Sequence, residues 1–161
     1  MNSGQNDHIV SSFDADLSKL DNMIAEMGGL AESQLSRSIE ALCRRDTTAA
    51  DRIVPADKRI DDLEEEIYEF TVKLLALRQP MAGDLRIVIS AIKISSVIER
   101  IGDYAKNISK RTVGLDKSPS LTGALNTLSR MGNLVQSMIK HTLDAYICLL
   151  YTSDAADEVL G

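Results

Sequence analysis

The sequence has no tryptophan, and aromatic residues make up only 4% of its 161 positions. Proline occurs three times and glycine nine times. These scarcities argue against a β-sandwich or a barrel, because sheets favour aromatic residues and their many turns need glycine and proline. We therefore predict an all-α fold.

Other absences exclude whole classes of protein. The two cysteines give neither a disulfide framework nor zinc-ligand spacing. A net charge of -6 argues against a general nucleic-acid binder. No apolar run approaches the length of a membrane span, and the polar N-terminus lacks the regions of a signal peptide. We expect a cytoplasmic protein without a nucleic-acid partner and without membrane insertion.

What the sequence does contain is helical periodicity. Apolar residues recur in steps of three and four, and this pattern predicts helices over about residues 15–44, 46–79, 84–113 and 121–147. Asp46 is the expected N-cap of the second helix, which Pro55 should bend or break near its start. Either Gly83 or Asp84 should open the third helix. The predicted core positions of the second and third helices include Ile53, Ala56, Ile60, Leu63, Ile67, Phe70, Leu74, Leu77, Ile87, Ala91, Ile94, Ile98, Ile101, Ala105 and Ile108.

An internal repeat indicates the domain organisation. Residues 27–33 match residues 131–137, so the fourth helix resembles the first helix of a second copy. Gly28 and Gly29 interrupt the first helix, which indicates either a close helix contact or a kink. We expect the following divisions: a flexible N-terminus at 1–12, an antiparallel three-helix bundle at 13–114, a linker at 115–120, the first helix of a truncated second repeat at 121–147, and a non-native tail at 148–161. The tail is assigned as non-native because its codons would resemble a transposase-end sequencing adapter read through as protein.

Carboxylates form rows beside the core stripes of the second and third helices. The rows contain Asp57, Asp61 and Glu64 on one helix and Glu99 and Asp103 on the other. Because the chain reverses near residues 80–83, Glu64 should lie opposite Glu99 and Asp61 opposite Asp103. Unpaired carboxylates gathered in this way are costly, and a hard cation such as Mg²⁺, Mn²⁺, Ca²⁺ or iron would compensate them.

The spacing leaves a second interpretation open. A charged helix edge is most often a solvated face, and spacing alone favours that view. Four basic neighbours, Lys58, Arg59, Arg100 and Lys106, could also compensate the acids by ion pairing. The two histidines, His8 and His141, do not form the Glu-x-x-His pairs of a di-iron bundle.

One connecting segment suggests a contact surface. Arg86 falls in the first turn of the third helix, where the helix dipole disfavours a cation. The simplest explanation for this segment is a capped helix with a surface arginine, and the alternative is a loop that contacts a partner. The candidate contact residues are Gln79, Pro80, Asp84, Arg86 and Arg100.

Taken together, these residues resemble the PhoU family of phosphate-uptake and phosphate-signalling regulators. The resemblance covers about residues 10–147 and rests on these segments: Met27-Gly28-Gly29, Asp57-Lys58 with Glu64, Arg78-Gln79-Pro80, Asp84-Leu85-Arg86, and Glu99-Arg100-Ile101-Gly102-Asp103 with Asn107-Ile108.

The resemblance implies two tandem three-helix bundles in a cytoplasmic homodimer without enzymatic activity. It also implies a metal site at Glu99 and Asp103, supported by Glu64 and by Asp61 and Asp57, that could take Fe, Mn, Mg or Zn. The implied partners are the ATPase of the phosphate ABC transporter and a phosphate-sensing histidine kinase, both negatively regulated by direct contact. Two alternatives remain, a metal-dependent helical-bundle hydrolase and a structural bundle without a metal site.

Overall fold

The structure, a computed structural model, describes the backbone of residues 3–115 and 122–160, and the side chains of residues 12–115 and 122–148. Within these residues it contains five helices and no strand. The helices are α1 (Ser3–Arg44), α2 (Thr47–Ala56), α3 (Lys58–Arg78), α4 (Ala82–Val113) and α5 (Thr122–Leu160). The predicted all-α fold is confirmed.

The four predicted helices differ from the observed ones at their ends. Helix α1 begins at Ser3, within the stretch predicted to be flexible, and α5 continues past residue 147 to Leu160. Most of the predicted linker lies outside the described residues. No helix in the described part of the chain has a stretch long and apolar enough to cross a bilayer.

The junction between α1 and α2 follows from local backbone chemistry. Arg45 adopts a left-handed conformation, and the amides of Arg45 and Asp46 donate to the carbonyls of Leu42 and Ala41, which forms a Schellman motif. Asp46 then caps α2, because its Oδ1 accepts a hydrogen bond from the amide of Ala49 at 2.9 Å. The predicted N-cap is confirmed.

Pro55 breaks the second predicted helix into α2 and α3. Proline has no amide hydrogen and its ring crowds the carbonyl one turn earlier, so the helix ends at Ala56 and a new one starts at Lys58. Asp57 forms the junction and is buried, whereas the predicted core residue Ala56 is exposed. The kink therefore turns a carboxylate, and not a methyl group, toward the interior.

Helices α1, α3 and α4 enclose the main core. Its buried members are Leu20, Ile24, Met27, Ala31, Ile60, Leu63, Ile67, Ala91 and Ile98. Helices α2, α3 and α4 each contact α1 and one another, which completes the predicted antiparallel bundle. Helix α5 makes its contacts with α1 within the described residues.

The buried stripe of α4 matches the predicted one at Ala91, Ile98 and Ala105 and differs from it at the other positions. Ile87 is 49% exposed and Val88 is fully buried, and farther along the helix the deepest positions are small residues. These small residues are Ala91, Ser95, Gly102, Ala105 and Ser109. The large isoleucines Ile94, Ile101 and Ile108 are only half-buried at the edges of the stripe. Small side chains at the centre allow α4 to approach its neighbours closely.

The prediction for Leu77 was also wrong, because that residue is 70% exposed at the end of α3.

Helices α1 and α5 cross at matching glycines. A Cβ atom on Gly28 would lie 2.4 Å from Leu143 Cδ2, and a Cβ atom on Gly132 would lie 2.5 Å from Ile39 Cδ1. The repeat offset relates Gly28 to Gly132 and Ile39 to Leu143, so the two contacts are equivalent. Of the two explanations for the glycine pair, the structure supports a close helix contact at Gly28.

Candidate functional site

The acidic rows meet along the α3–α4 interface. Helix α3 carries Asp61 and Glu64, helix α4 carries Glu99 and Asp103, and Asp57 lies at the α2–α3 junction. The two helices run antiparallel because the chain reverses between Gln79 and Met81. The predicted opposition agrees with the electrostatics of the two helices, since the charge of Glu64 acts on Glu99 and the charge of Asp103 acts on Asp61.

Asp57 is the most deeply buried of these carboxylates, with 2% of its surface exposed. Its Oδ1 accepts a hydrogen bond of 2.7 Å from Gln34 Nε2, and its Oδ2 accepts one from the ammonium of Lys106. The same Gln34 nitrogen also donates to the carbonyl of Gly102 at 3.3 Å. One polar network thus joins α1, the α2–α3 junction and α4.

Gly102 makes this network geometrically possible. A Cβ atom at this position would lie 3.0 Å from Asp57 Oδ1 and 3.0 Å from Ile60 Cδ1. Contacts that short are tighter than ordinary van der Waals packing. The absence of a side chain at Gly102 therefore lets α4 approach the buried carboxylate.

The carboxylates of the site have pKa values shifted in different directions. Burial raises the pKa of Glu99, and the negative charges of Asp103 and Glu64 raise it further. Burial and the charge of Asp57 likewise raise the pKa of Asp61. In contrast, the hydrogen bond from Lys106 lowers the pKa of Asp103. The hydrogen bonds that Lys106 donates to Asp103 and Asp57 in turn raise the pKa of Lys106. A nearby positive charge would therefore favour the ionised forms of Glu99 and Asp61, and Lys106 supplies one where it meets Asp57 and Asp103.

The other predicted basic neighbours make their ion pairs elsewhere. Lys58 pairs with Asp62 at 2.6 Å, and Arg59 pairs with Glu26 at 2.8 Å and Glu66 at 2.9 Å. Arg100 lies beside the hydroxyl of Tyr104, at 3.4 Å. Of the four candidates, Lys106 is the one whose hydrogen bonds reach the acidic rows.

The donor chemistry of the site fits a hard cation, since all five predicted ligands are carboxylates. The positions of these carboxylates do not form a complete metal site. Among the side chains of residues 12–115 and 122–148, no three acidic, histidine or cysteine residues are grouped so as to hold a metal ion. Asp57 and Asp103 each accept a hydrogen bond from Lys106.

The predicted contact residues fall into two places. Gln79, Pro80, Asp84 and Arg86 lie at the α3–α4 hairpin, where Pro80 is half-buried and the other three are exposed. Arg100 lies fourteen positions beyond Arg86 on α4, about 21 Å along the helix axis at 1.5 Å per residue.

The prediction that Gly83 or Asp84 opens the third helix was wrong. Helix α4 begins at Ala82 with Met81 in the N-cap position, and Asp84 lies in its first turn.

Sequence reasoning missed Gln34. It lies between the core positions Ala31 and Leu35 of α1 and is itself buried. A glutamine within an apolar stripe signals a buried hydrogen-bond partner, because an unpaired amide there would be costly. That signal was present in the sequence, but the identity of the partner was not.

The PhoU domain family model matches residues 24–112, which contain the whole acidic site. The chain belongs to the PhoU family. Among curated relatives of this PhoU-family chain, the phosphate-specific transport system accessory protein PhoU homolog of Caulobacter vibrioides is 44% identical over 140 residues, covering 87% of this chain and 61% of the relative. The homolog of the same name from Zymomonas mobilis is 45% identical, covering 86% of this chain and 58% of the relative.

A solved PhoU structure shows the same fold. The crystal structure of PhoU from Pseudomonas aeruginosa matches with a TM-score of 0.75 and 33% sequence identity, covering 84% of this chain and 65% of that one. The PhoU-family chain described here therefore spans about three fifths of the length of the relatives that it matches.

Proposed function

We propose that this chain belongs to an accessory regulator of phosphate-specific transport that acts by binding other proteins and not by catalysis. Its similarity to the Caulobacter and Zymomonas accessory proteins carries this proposal. The regulator restrains phosphate uptake and the phosphate-starvation response in the cytoplasm, as a homodimer. Its partners are the ATPase of the phosphate ABC transporter and the phosphate-sensing histidine kinase.

The α3–α4 hairpin is the contact surface that we assign to these partners. It exposes a dense group of large apolar side chains, including Leu77 and Met81, which are 70% and 80% exposed. Leu85 and Ile89, one turn apart on the same side of α4, extend the group along the helix, and Ile87 is exposed on the other side. Exposed apolar surface of this density is typical of protein-binding sites.

Pull-down assays with the purified transporter ATPase and the cytoplasmic part of the kinase test this assignment. The variant Leu77→Asp/Met81→Asp should lose at least tenfold in affinity, because charge replaces apolar contact surface. Val97→Asp, at an exposed apolar position on α4 away from the hairpin, is the control. Unchanged binding of the hairpin variant would refute the surface, and absence of binding by the unmodified chain would refute the adaptor role.

We further propose that the acidic rows hold a divalent or trivalent cation, with Fe, Mn, Mg and Zn as candidates. The burial and the neighbouring negative charges that raise the pKa of Glu99 and of Asp61 support this assignment. When bound, the ion would link α3 and α4 through oxygen ligands. The ligands that we assign are Glu99, Asp103, Glu64, Asp61 and Asp57.

Elemental analysis of the purified protein tests the metal site. Glu99→Gln/Asp103→Asn should lose bound metal, whereas Asp84→Asn, which removes an exposed acid from the same helix, should retain it. Equal metal content in all three proteins would refute the assignment without affecting the adaptor role.

We also propose that α5 is the first helix of a second three-helix unit. The equivalent glycine contacts at Gly28 and Gly132 support this arrangement. The exposed apolar face of α5 supports it as well, since Leu128, Met131 and Val135 occupy the repeat positions of residues that are buried in α1. Expression of α5 with the chain that follows it in the source gene should yield a second folded bundle. An unfolded product, measured by circular dichroism, would contradict the arrangement.

A further inference from the structure

One side of α3 carries a continuous stripe of exposed and half-buried side chains. Steps of three and four positions keep its members on the same side of the helix. The stripe changes from acidic to apolar toward the hairpin, in the order Asp61, Glu64, Tyr68, Val72 and Leu75. Tyr68 and Val72 are 55% and 46% exposed, so the apolar half of the stripe is open to contact.

Helix α4 carries a matching stripe with the same spacing. Its members, taken away from the hairpin, are Leu85, Ile89, Ile92, Ser96, Glu99 and Asp103. Because α3 and α4 are antiparallel, the apolar halves of both stripes lie near the hairpin and the acidic halves lie at the far end. We call the two stripes together the outer α3–α4 face.

The apolar half of the outer α3–α4 face remains exposed in the folded chain. On α4, Leu85 is 41% exposed and Ile89 is 48% exposed. Within the described residues, α5 packs against α1 and leaves this face uncovered. A contiguous group of exposed apolar side chains is typical of a protein-binding surface, and this group continues the hairpin surface assigned above.

The acidic half determines the chemistry of the occupant. Among the described residues, Asp61, Glu64 and Glu99 form no ion pair, whereas Asp103 pairs with Lys106. A segment that covers the apolar half and continues along the face brings its next residues over these carboxylates. Lysine or arginine there would be attracted, whereas acidic side chains would be repelled.

The length of the face suits a helix. Asp61 and Leu75 are fourteen positions apart on α3, which is about 21 Å along the axis at 1.5 Å per residue. Amphipathic helices commonly bind in the shallow groove between two other helices and present side chains at every third and fourth position. A helix of about 14 residues would span both halves of the face.

We propose that the outer α3–α4 face binds a helical segment of a partner protein, with large apolar side chains in one half and lysine or arginine in the other. The inference rests on the adaptor role proposed above and names the chemistry of the segment that the partner contributes. The apolar half of the segment lies toward the hairpin. An anionic lipid surface would be repelled by the carboxylates, and a second copy of this chain would bring the same carboxylates to the face.

An array of overlapping peptides from the transporter ATPase and from the cytoplasmic part of the kinase identifies the segment. The full chain, labelled with a fluorophore, is the probe, and a chelator is present so that no metal ion neutralises the acidic half. The strongest peptides should combine a basic half with an apolar half. Their affinity in solution, measured by fluorescence anisotropy, should fall as the salt concentration rises, because salt screens the charge attraction.

Two variants test the acidic and apolar halves separately. Glu64→Lys/Glu99→Lys and Tyr68→Asp/Val72→Asp should each weaken binding of these peptides at least tenfold. Asp51→Lys/Asp144→Lys, which makes the same change of charge at exposed positions on α2 and α5, should stay within threefold of the unmodified chain.

The apolar variant has its own control, and folding is checked independently. Val97→Asp/Val113→Asp places two aspartates at exposed apolar positions of α4 outside the face and should also stay within threefold. Circular dichroism establishes that each variant is folded. If the charge reversal unfolds the chain, Glu64→Gln/Glu99→Gln removes the charges without reversing them and should weaken binding at least threefold.

Four results would overturn the inference. The first is equal peptide binding by the variants of the face and the unmodified chain, and the second is selection of peptides without a basic half. The third is self-association of the unmodified chain that Tyr68→Asp/Val72→Asp abolishes in sedimentation, which would assign the face to a second copy. The fourth is binding to anionic vesicles that the same variant abolishes. In each case binding of the intact partner proteins in the pull-down assays would leave the adaptor role standing, whereas its absence would refute that role as well.

Discussion

Asp57 is the residue whose removal should most affect stability without touching the apolar core. In Asp57→Ala, Gln34 loses a hydrogen bond to a charged acceptor, which contributes about 1.5–3 kcal/mol. Lys106 loses its buried partner but keeps Asp103 and some access to water, so this loss should add only about 1 kcal/mol. We therefore expect the free energy of unfolding to fall by about 3 kcal/mol, near the lower end for breaking a buried ion pair.

Urea unfolding of metal-free protein, followed by circular dichroism, measures this change. Asp62→Ala is the control, since Asp62 pairs with Lys58 on the exposed side of α3 and should change stability by less than about 1 kcal/mol. The double variant Asp57→Ala/Lys106→Ala should be non-additive by about 1–2 kcal/mol, because the two side chains share a network. A loss below about 1 kcal/mol for Asp57→Ala, or full additivity, would refute the account of the buried network.

Three further changes test other parts of the structure. The raised pKa of Glu99 means that its ionised form disfavours folding, so the contribution of Glu99 to stability should decline as the pH rises from about 4.5 toward neutrality. Glu99→Gln should remove this contribution, so the decline should be flatter in the variant, and its stability at pH 7 should be higher by less than about 1 kcal/mol. Unfolding of both proteins at pH 4.5 and pH 7 in a chelator checks the sign, and a steeper decline in the variant would contradict it. Gln79 ends α3 in a left-handed conformation with φ of 48°, so Gln79→Gly should stabilise the chain by about 1 kcal/mol in thermal unfolding, and a loss of stability would contradict the strain. The hydroxyl of Tyr146 donates to Asp21 Oδ1 at 2.6 Å, so Tyr146→Phe should cost about 1.5 kcal/mol and speed hydrogen exchange in α5 but not in α3, whereas unchanged exchange in α5 would show that this bond does not hold it.

Much of the bundle was predictable because the repeat of apolar residues is a local property. The steps of three and four placed Ile60, Leu63 and Ile67 correctly in the core of α3. The left-handed end of α1 was not predicted, but the cap at Asp46 was, since a capping side chain acts on an amide only three residues away. The antiparallel order of α3 and α4 was also predictable, and with it the opposition of Glu64 to Glu99.

The errors arose where two helices approach each other. On α4 the apolar pattern favoured Ile87, Ile94 and Ile101, but the helix buries Val88, Ser95 and Gly102 more deeply. Hydrophobicity selects large side chains for a stripe, whereas a close crossing needs small ones at its centre. The distance between the packed helices depends on all of them together and cannot be predicted from the sequence of any one helix.

By itself, the sequence determined the helices, their order, the family and the set of carboxylates that could meet, because these follow from local periodicity, turn chemistry and motif. Only the tertiary structure decided which carboxylate is buried, which cation reaches it and which glutamine on a distant helix holds it. The kink at Pro55 turns Asp57 inward, and Gly102 lets α4 approach it closely. Gln34 and Lys106, which bind Asp57, are separated from it by 23 and 49 positions along the chain, respectively. Such contacts depend on the relative rotation and spacing of three packed helices, which no local pattern specifies.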